Sequence, residues 1–288
     1  MFLKRVLITV TLGPLALLLV YFGDVFYGLL YFIPVIIFLS LATLEYVNIA
    51  EKIGWRPSKA VLLPLVLVQY VLAQWWPEYT APAIVASLVV IMCYALWLYE
   101  TEKSATASAD WLTMTGGFLL LGWLASHFLS LRAIGTVPVS DPSLAEVAWV
   151  WTTLALLGTW FADSFAYLVG KFMAGKFILG KHKMSPRLSP NKTVEGYVGG
   201  IVLGTALTVG MGLIFTNWYD ISLVTVLLVG LLTSIVSPAG DLAISLLKRE
   251  AGVKDSGNLM PGHGGALDRI DSLMWSVTFV YYLVVLIG

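Results

Sequence analysis

The sequence predicts an all-α, polytopic membrane protein. Three observations carry that expectation: an excess of apolar residues, a shortage of charge, and nine apolar stretches of bilayer length. Hydrophobic residues make up 59% of the 288 residues and charged residues 12%, against roughly 45–50% and about 25% in soluble domains. Mean hydropathy is +0.87. So few charges cannot cover a water-soluble fold of this size, and so many apolar side chains exclude a disordered chain. A single cysteine and 26 glycines exclude a disulfide scaffold and a collagen-like repeat.

A helix that crosses a bilayer needs about 20 mostly apolar residues. Such stretches lie near 6–22, 25–47, 60–76, 81–99, 111–131, 146–169, 197–216, 221–239 and 272–287. The first follows Lys4 and Arg5 but has no small-x-small cleavage site before Asp24, so it reads as a span and not as a signal peptide. With the N-terminus inside, all of the 17 Lys and Arg except Arg132 fall in inner segments, as the positive-inside rule asks. Trp75, Trp76 and Trp218 fall near outer boundaries, where an interfacial aromatic belt is expected. Outer loops are short, and the long inner segments are 170–196 and 240–271. The expected division is therefore a scaffold of helices over 1–145, with room for oligomer contacts, and a catalytic transmembrane domain over 146–288.

Several classes drop out. A net charge of zero exerts no global pull on nucleic acid. Cys93 lies in an apolar run and reads as a small buried side chain. His127, toward the outer side of the fifth span, reads as a partner in a helix–helix hydrogen bond. Glu45 lies near an inner membrane edge and reads as hydrated. No internal repeat supports an inverted-repeat transporter, and neither a GxxxxGK[ST] loop nor a GxGxxG turn after a strand is present.

Chemistry concentrates in Ser237–Ser272. Pro238 and Gly240 are expected to interrupt the preceding span, and Asp241 to head a helical stretch up to Glu250. At that spacing Asp241, Ser245 and Lys248 share a face, with Arg249 beside them. Gly252 fits a helix stop. Gly252, Gly257, Gly262, Gly264 and Gly265 follow within one short loop, and such a loop lets backbone N–H groups approach an anion. A second helix is expected from about Leu267, with Asp268 and Asp271 facing one way. Three carboxylates, Asp241, Asp268 and Asp271, can thus converge, and oxygen-only clusters suit hard cations such as Mg2+. Lys248, Arg249, Lys254 and Arg269 carry the complementary charge for phosphates. Carboxylates, metal, cations and a glycine loop together equip phosphoryl or nucleotidyl transfer. A solvated loop, or an ion pathway, is the plainer reading of the same residues.

Asp163 lies inside the sixth span, where a carboxylate is costly without a partner. It is read as orienting a ligand or a metal-bound water, or else as a helix-packing hydrogen bond. Before the seventh span, Ser189 or Thr193 can cap the incoming helix, and Lys192 can meet a phosphate. Lys171, Lys176, Lys181 and Lys183 are more generic and serve topology or anionic headgroups.

Ser245–Asp271 resembles the signature of the phosphatidate cytidylyltransferases, also called CDP-diacylglycerol synthases. The resemblance is carried by Ser245, Lys248-Arg249, Lys254-Asp255, Gly257, Pro261, His263-Gly264-Gly265, Asp268-Arg269 and Asp271. Met260 and Ala266 stand where that family more often has a larger aliphatic residue. Upstream, Asp163, Ala166-Tyr167, Gly170 and Ser189-Pro190-Lys192-Thr193-Glu195-Gly196 also resemble family positions, across a longer interval than the family usually has. The resemblance covers most of 160–288. The first half matches only as a hydrophobic, multi-span region.

What the resemblance implies is the conversion of CTP and phosphatidate to CDP-diacylglycerol and pyrophosphate with Mg2+. Asp241, Asp268 and Asp271 would hold the metal, with a second, monovalent cation such as K+ also accommodated. Lys248, Arg249 and Lys254 would hold the CTP phosphates, with Asp255, Gly264 and Gly265 beside them. Ser245, Lys192 and Asp163 would orient substrate. The implied setting is a bacterial-type inner membrane, with the active site on the cytoplasmic face and a homodimer as a further expectation. A CTP-dependent polyprenol kinase is the alternative enzyme, and an ion-coupled transporter using Asp163, Asp241 and His127 the alternative class.

Overall fold

The computed structural model describes residues 2–134, 146–176, 180–259 and 264–287. The expected outer loop at 135–145, and Met260, Pro261, Gly262 and His263, lie outside the described residues. Among those described, helical structure covers most of each of the nine expected stretches. In chain order these are α1 (Phe2–Tyr21), α2 (Leu29–Ile53), α3 (Lys59–Trp75), α4 (Thr80–Glu100), α5 (Ala107–Gly117), a π-helical stretch (Phe118–Leu124), α6 (Ala125–Arg132), α7 (Ala148–Phe172), α8 (Val194–Phe215), α9 (Leu223–Glu250), α10 (Leu267–Ile270) and α11 (Leu273–Ile287). Strands β1 (Lys183–Ser185) and β2 (Ser189–Thr193) form a small antiparallel hairpin.

The fold is all-α and polytopic, but fewer helices than nine meet the length and hydropathy of a full span. Seven of those described do so. The third stretch, α3, has 17 residues and is about 26 Å long, short of a ~30 Å hydrocarbon core. The described apolar part of the first is Thr11–Tyr21.

The chain forms two compact units. The first is 1–137 with 247–269. Its core is built by Leu39, Leu62, Val66, Tyr70, Met114, Phe118, Leu121 and Leu129, all buried. Buried phenols need acceptors, and each finds a carbonyl in the fifth span: Tyr31 donates to Phe128, Tyr46 to Thr113 and Tyr70 to Leu121. His127 has its Nδ1 3.0 Å from Trp123 O and 3.1 Å from Leu124 O, carbonyls of its own span. Arg132, the one basic residue expected outside, grips both oxygens of Asp24 at 2.9 and 2.6 Å and donates to Val20 O.

The second unit is 138–246 with 270–288. Its helices α7 and α8 meet along small residues. The buried positions of α8 are Gly196, Gly200, Gly204, Thr208 and Gly212, one face at a spacing of four. A Cβ at Gly200 would stand 2.8 Å from Ala162 O, and one at Gly204 would stand 2.9 Å from Ala162 Cα. Small residues let two apolar helices approach to backbone contact where lipid provides no hydrophobic drive.

Two expectations about the second half change. Pro238 does not end the eighth span: α9 runs unbroken for 28 residues with Pro238 inside it. A proline forfeits only one ladder bond, and packed neighbours let spanning helices carry that loss. At about 42 Å, α9 is longer than the hydrocarbon core requires. Gly240 serves close approach instead of a break, because a Cβ there would strike the Asp271 carbonyl and the Trp275 ring. The helix does stop at Gly252, as expected. With φ +68 at Gly252, its N–H bonds Arg249 O and the Val253 N–H bonds Lys248 O, the pairing of a Schellman cap. The second helix begins at Leu267 but lasts four residues. Asp271 therefore falls in the turn before α11, not on one regular face with Asp268.

Close approach of α7 and α8 yields a paired test. Gly204→Ala should lower the thermal midpoint of the detergent-purified protein, at a cost of about 1–3 kcal/mol for overpacking. Gly210→Ala, where nothing lies within 4 Å, should leave it unchanged or raised. Equal behaviour of the two would remove the packing account.

Candidate functional site

Candidate residues gather in two clusters, one in each unit. The first unit's cluster centres on Asp268. Lys248 Nζ lies 2.6 Å from Asp268 Oδ1, and their side chains are only 8% and 6% exposed. The other oxygen, Oδ2, accepts from Ser256 N at 2.8 Å, Ser256 Oγ at 3.0 Å and Gly265 N at 3.0 Å. Gly264 has φ +81, a conformation that favours glycine, and a Cβ there would strike the Asp268 carboxylate.

A second carboxylate lies in the same cluster. Glu45, in α2, accepts from Ser256 Oγ at 2.7 Å, Ala266 N at 3.0 Å and Leu267 N at 2.9 Å. A Cβ at Gly257 or Gly265 would strike the Glu45 carboxylate. The glycine loop does present N–H groups to anions, and the anions it holds are two carboxylates of this chain. Around this cluster Arg249 is exposed and donates to Val253 O, while Lys254, Asp255 and Arg269 are exposed.

The second unit's cluster surrounds the middle of α9. Alternation along β2 sends Lys192 and Thr193 to opposite sides. Thr193 is buried and caps α8 by accepting from Gly196 N at 3.1 Å. Lys192 Nζ lies 2.7 Å from Asp241 Oδ2 and 3.4 Å from Pro238 O. Ser245 donates to Asp241 Oδ1 at 3.1 Å, one helical turn away. Ser237, fully buried, donates to Asp163 at 2.5 Å. Asp271 is buried and its Oδ1 accepts from Ser272 N at 2.7 Å. Gly240 against the Asp271 carbonyl sets the chain at Asp241 beside the chain at Asp271.

These side chains offer oxygen donors and lysine cations, with no thiol or imidazole among them, which is the donor chemistry of a hard cation with phosphates. Among the described residues, no group of three His, Cys, Asp or Glu side chains is arranged as metal ligands. Asp241 and Asp268 are each paired with a lysine.

Sequence reasoning missed Glu45, Ser256 and Ser237. Glu45 had a usable signal, a carboxylate within a helix of mean hydropathy 2.0, which is costly without partners. Nothing local marks Ser256 or Ser237, since only the folded chain brings a carboxylate to each.

Comparison with known proteins places these residues in a family. The model of the cytidylyltransferase family matches residues 3–287. A phosphatidate cytidylyltransferase of Synechocystis sp. is 35% identical, over 88% of this chain and 87% of its own. That of Bacillus subtilis is 33% identical, over 83% and 85%, and that of Staphylococcus haemolyticus 28%, over 90% and 95%. With a match along nearly its whole length, the chain belongs to the cytidylyltransferase family.

Proposed function

We propose that this protein transfers the cytidylyl group of CTP to phosphatidate, giving CDP-diacylglycerol and pyrophosphate at the cytoplasmic surface of the membrane. The observation that carries the reading is the coincidence of a family match over 3–287 with a nearly buried Lys248–Asp268 pair in the signature segment. The relatives named above are cytidylyltransferases, which favours this reaction over a CTP-dependent lipid kinase.

A phosphate oxygen of phosphatidate attacks the α-phosphorus of CTP. The bond from that phosphorus to the bridging oxygen breaks, and pyrophosphate leaves with the electron pair. A phosphate monoester is already an anionic nucleophile near neutral pH, so no strong general base is needed. Charge grows on the leaving pyrophosphate, and fixed cations lower that cost. Lys248, Arg249 and Lys254 supply them, while Lys192 and Ser245 orient substrate beside Asp241. Asp163, held by Ser237, lines the same cluster. The oxygens of Asp241 and Asp271 in one cluster, and those of Asp268 in the other, are the donors assigned to Mg2+, with a monovalent second cation also admitted by an oxygen donor set. When bound, the divalent ion supplies neutralisation of phosphate charge and a template for in-line displacement. The same reading carries a homodimer, which crosslinking of purified protein tests.

CTP labelled separately at its α and γ phosphorus, given to purified protein with phosphatidate vesicles, decides the reaction. Label from the α position should enter lipid. Lipid labelled from the γ position would instead identify a kinase, and no label in lipid would remove both. Asp268→Asn should insert and fold but lose turnover; near-normal product formation would remove its assignment. Lys248→Met should leave a charged Asp268 almost buried and unpaired, at a cost on the order of 3–5 kcal/mol. Adding Asp268→Asn to that variant should recover most of the thermal midpoint.

A further inference from the structure

The carboxylate of Glu45 reaches a part of the chain more than two hundred residues away. Three donors converge on it: Ser256 Oγ, Ala266 N and Leu267 N. Two come from the backbone entering α10, immediately before Asp268, and one from Ser256 on the far side of the glycine loop. Gly257 and Gly265 give the carboxylate its room. Glu45 therefore ties together both ends of the loop that frames Asp268.

Ser256 joins the two carboxylates. Its Oγ lies 2.7 Å from Glu45 Oε2 and 3.0 Å from Asp268 Oδ2. A hydroxyl has one proton, so it donates to one carboxylate at a time. Its N–H is committed to Asp268 at 2.8 Å. Gly265 N–H serves Asp268 while the next two N–H groups serve Glu45. Moving Glu45 thus disturbs the donors that set Asp268, and with them the Lys248 ammonium.

We propose that Glu45 is a positioning residue for the transfer reaction. It fixes the Asp268–Lys248 pair through Ser256 and the 265–267 backbone and itself contacts no substrate. The inference rests on the nucleotidyl-transfer reading above. A glutamine at position 45 keeps the size of the side chain but presents an N–H2 group to at least one donor, which loosens the loop without opening a cavity.

Glu45→Gln, purified as folded protein, is expected to lose about 10–100-fold in kcat, the usual cost of removing an orienting partner, while KM for phosphatidate stays within about twofold. Ser256→Ala should lower kcat as well, and the double variant should lose no more than the worse single one, because both act through one connection. A wild-type kcat in Glu45→Gln, or strictly multiplicative losses in the double variant, would overturn the proposal. Amide hydrogen exchange over Gly265–Asp268 reads the same tie without any turnover. Protection there should fall in Glu45→Gln. Unchanged protection overturns the positioning role whatever reaction the protein catalyses, whereas lost protection with no α-label transfer by the wild type faults only the assigned reaction.

Discussion

A carboxylate packed among apolar helices must have its hydrogen-bond donors supplied by the protein. Water is scarce there, and an ionised group without partners costs several kcal/mol. The Lys248–Asp268 pair meets that demand at 2.6 Å with both side chains nearly buried, and much of the signature segment is arranged around it. The Schellman cap at Gly252 turns the chain out of α9 just after Lys248. The glycine loop returns it so that Ser256 and Gly265 donate to the second oxygen of Asp268. The same demand recurs at Asp163 and Asp241, answered by Ser237 and Lys192, while the buried Arg132 guanidinium finds its acceptors in Asp24 and Val20 O.

Packing and chemistry make opposite demands on small residues. Along α8, Gly196, Gly200 and Gly204 are spent on backbone approach, and their Cβ positions are filled by α7 atoms. In the loop after α9, Gly257, Gly264 and Gly265 are spent on carboxylates, because each would place a Cβ against Glu45 or Asp268. The residue type is the same, yet one set fixes two helices and the other admits charge. In the hairpin β1–β2, Thr193 caps the glycine-lined helix while Lys192 pairs with Asp241.

Much of this was legible in the sequence, for reasons specific to each element. The helices lie where apolar length places them, because a spanning helix satisfies its own backbone and needs no distant partner. The Gly252 stop and the Thr193 cap were legible because both act within a few residues. Pro238 misled, since its effect depends on neighbours that sequence does not display. The short length of α10 was hidden for the same kind of reason. Asp268 and Lys248 were legible by residue type and company. Glu45 was legible only as a costly carboxylate in an apolar helix and not by its partners, because all three of its donors lie beyond residue 250.

That long-range attachment bears on modularity. The second half contains most of the signature, and it is tempting to treat it as a self-sufficient unit that could be expressed, transplanted or fused alone. A fragment starting near residue 146 would lack the acceptor for the Ala266 and Leu267 N–H groups. It would also lose α2, α3 and the fifth span, which make up most of the compact unit that includes 247–269. The leading helices therefore belong to the same compact unit as the segment that holds Asp268, and splitting the gene between its halves would divide that unit between two polypeptides.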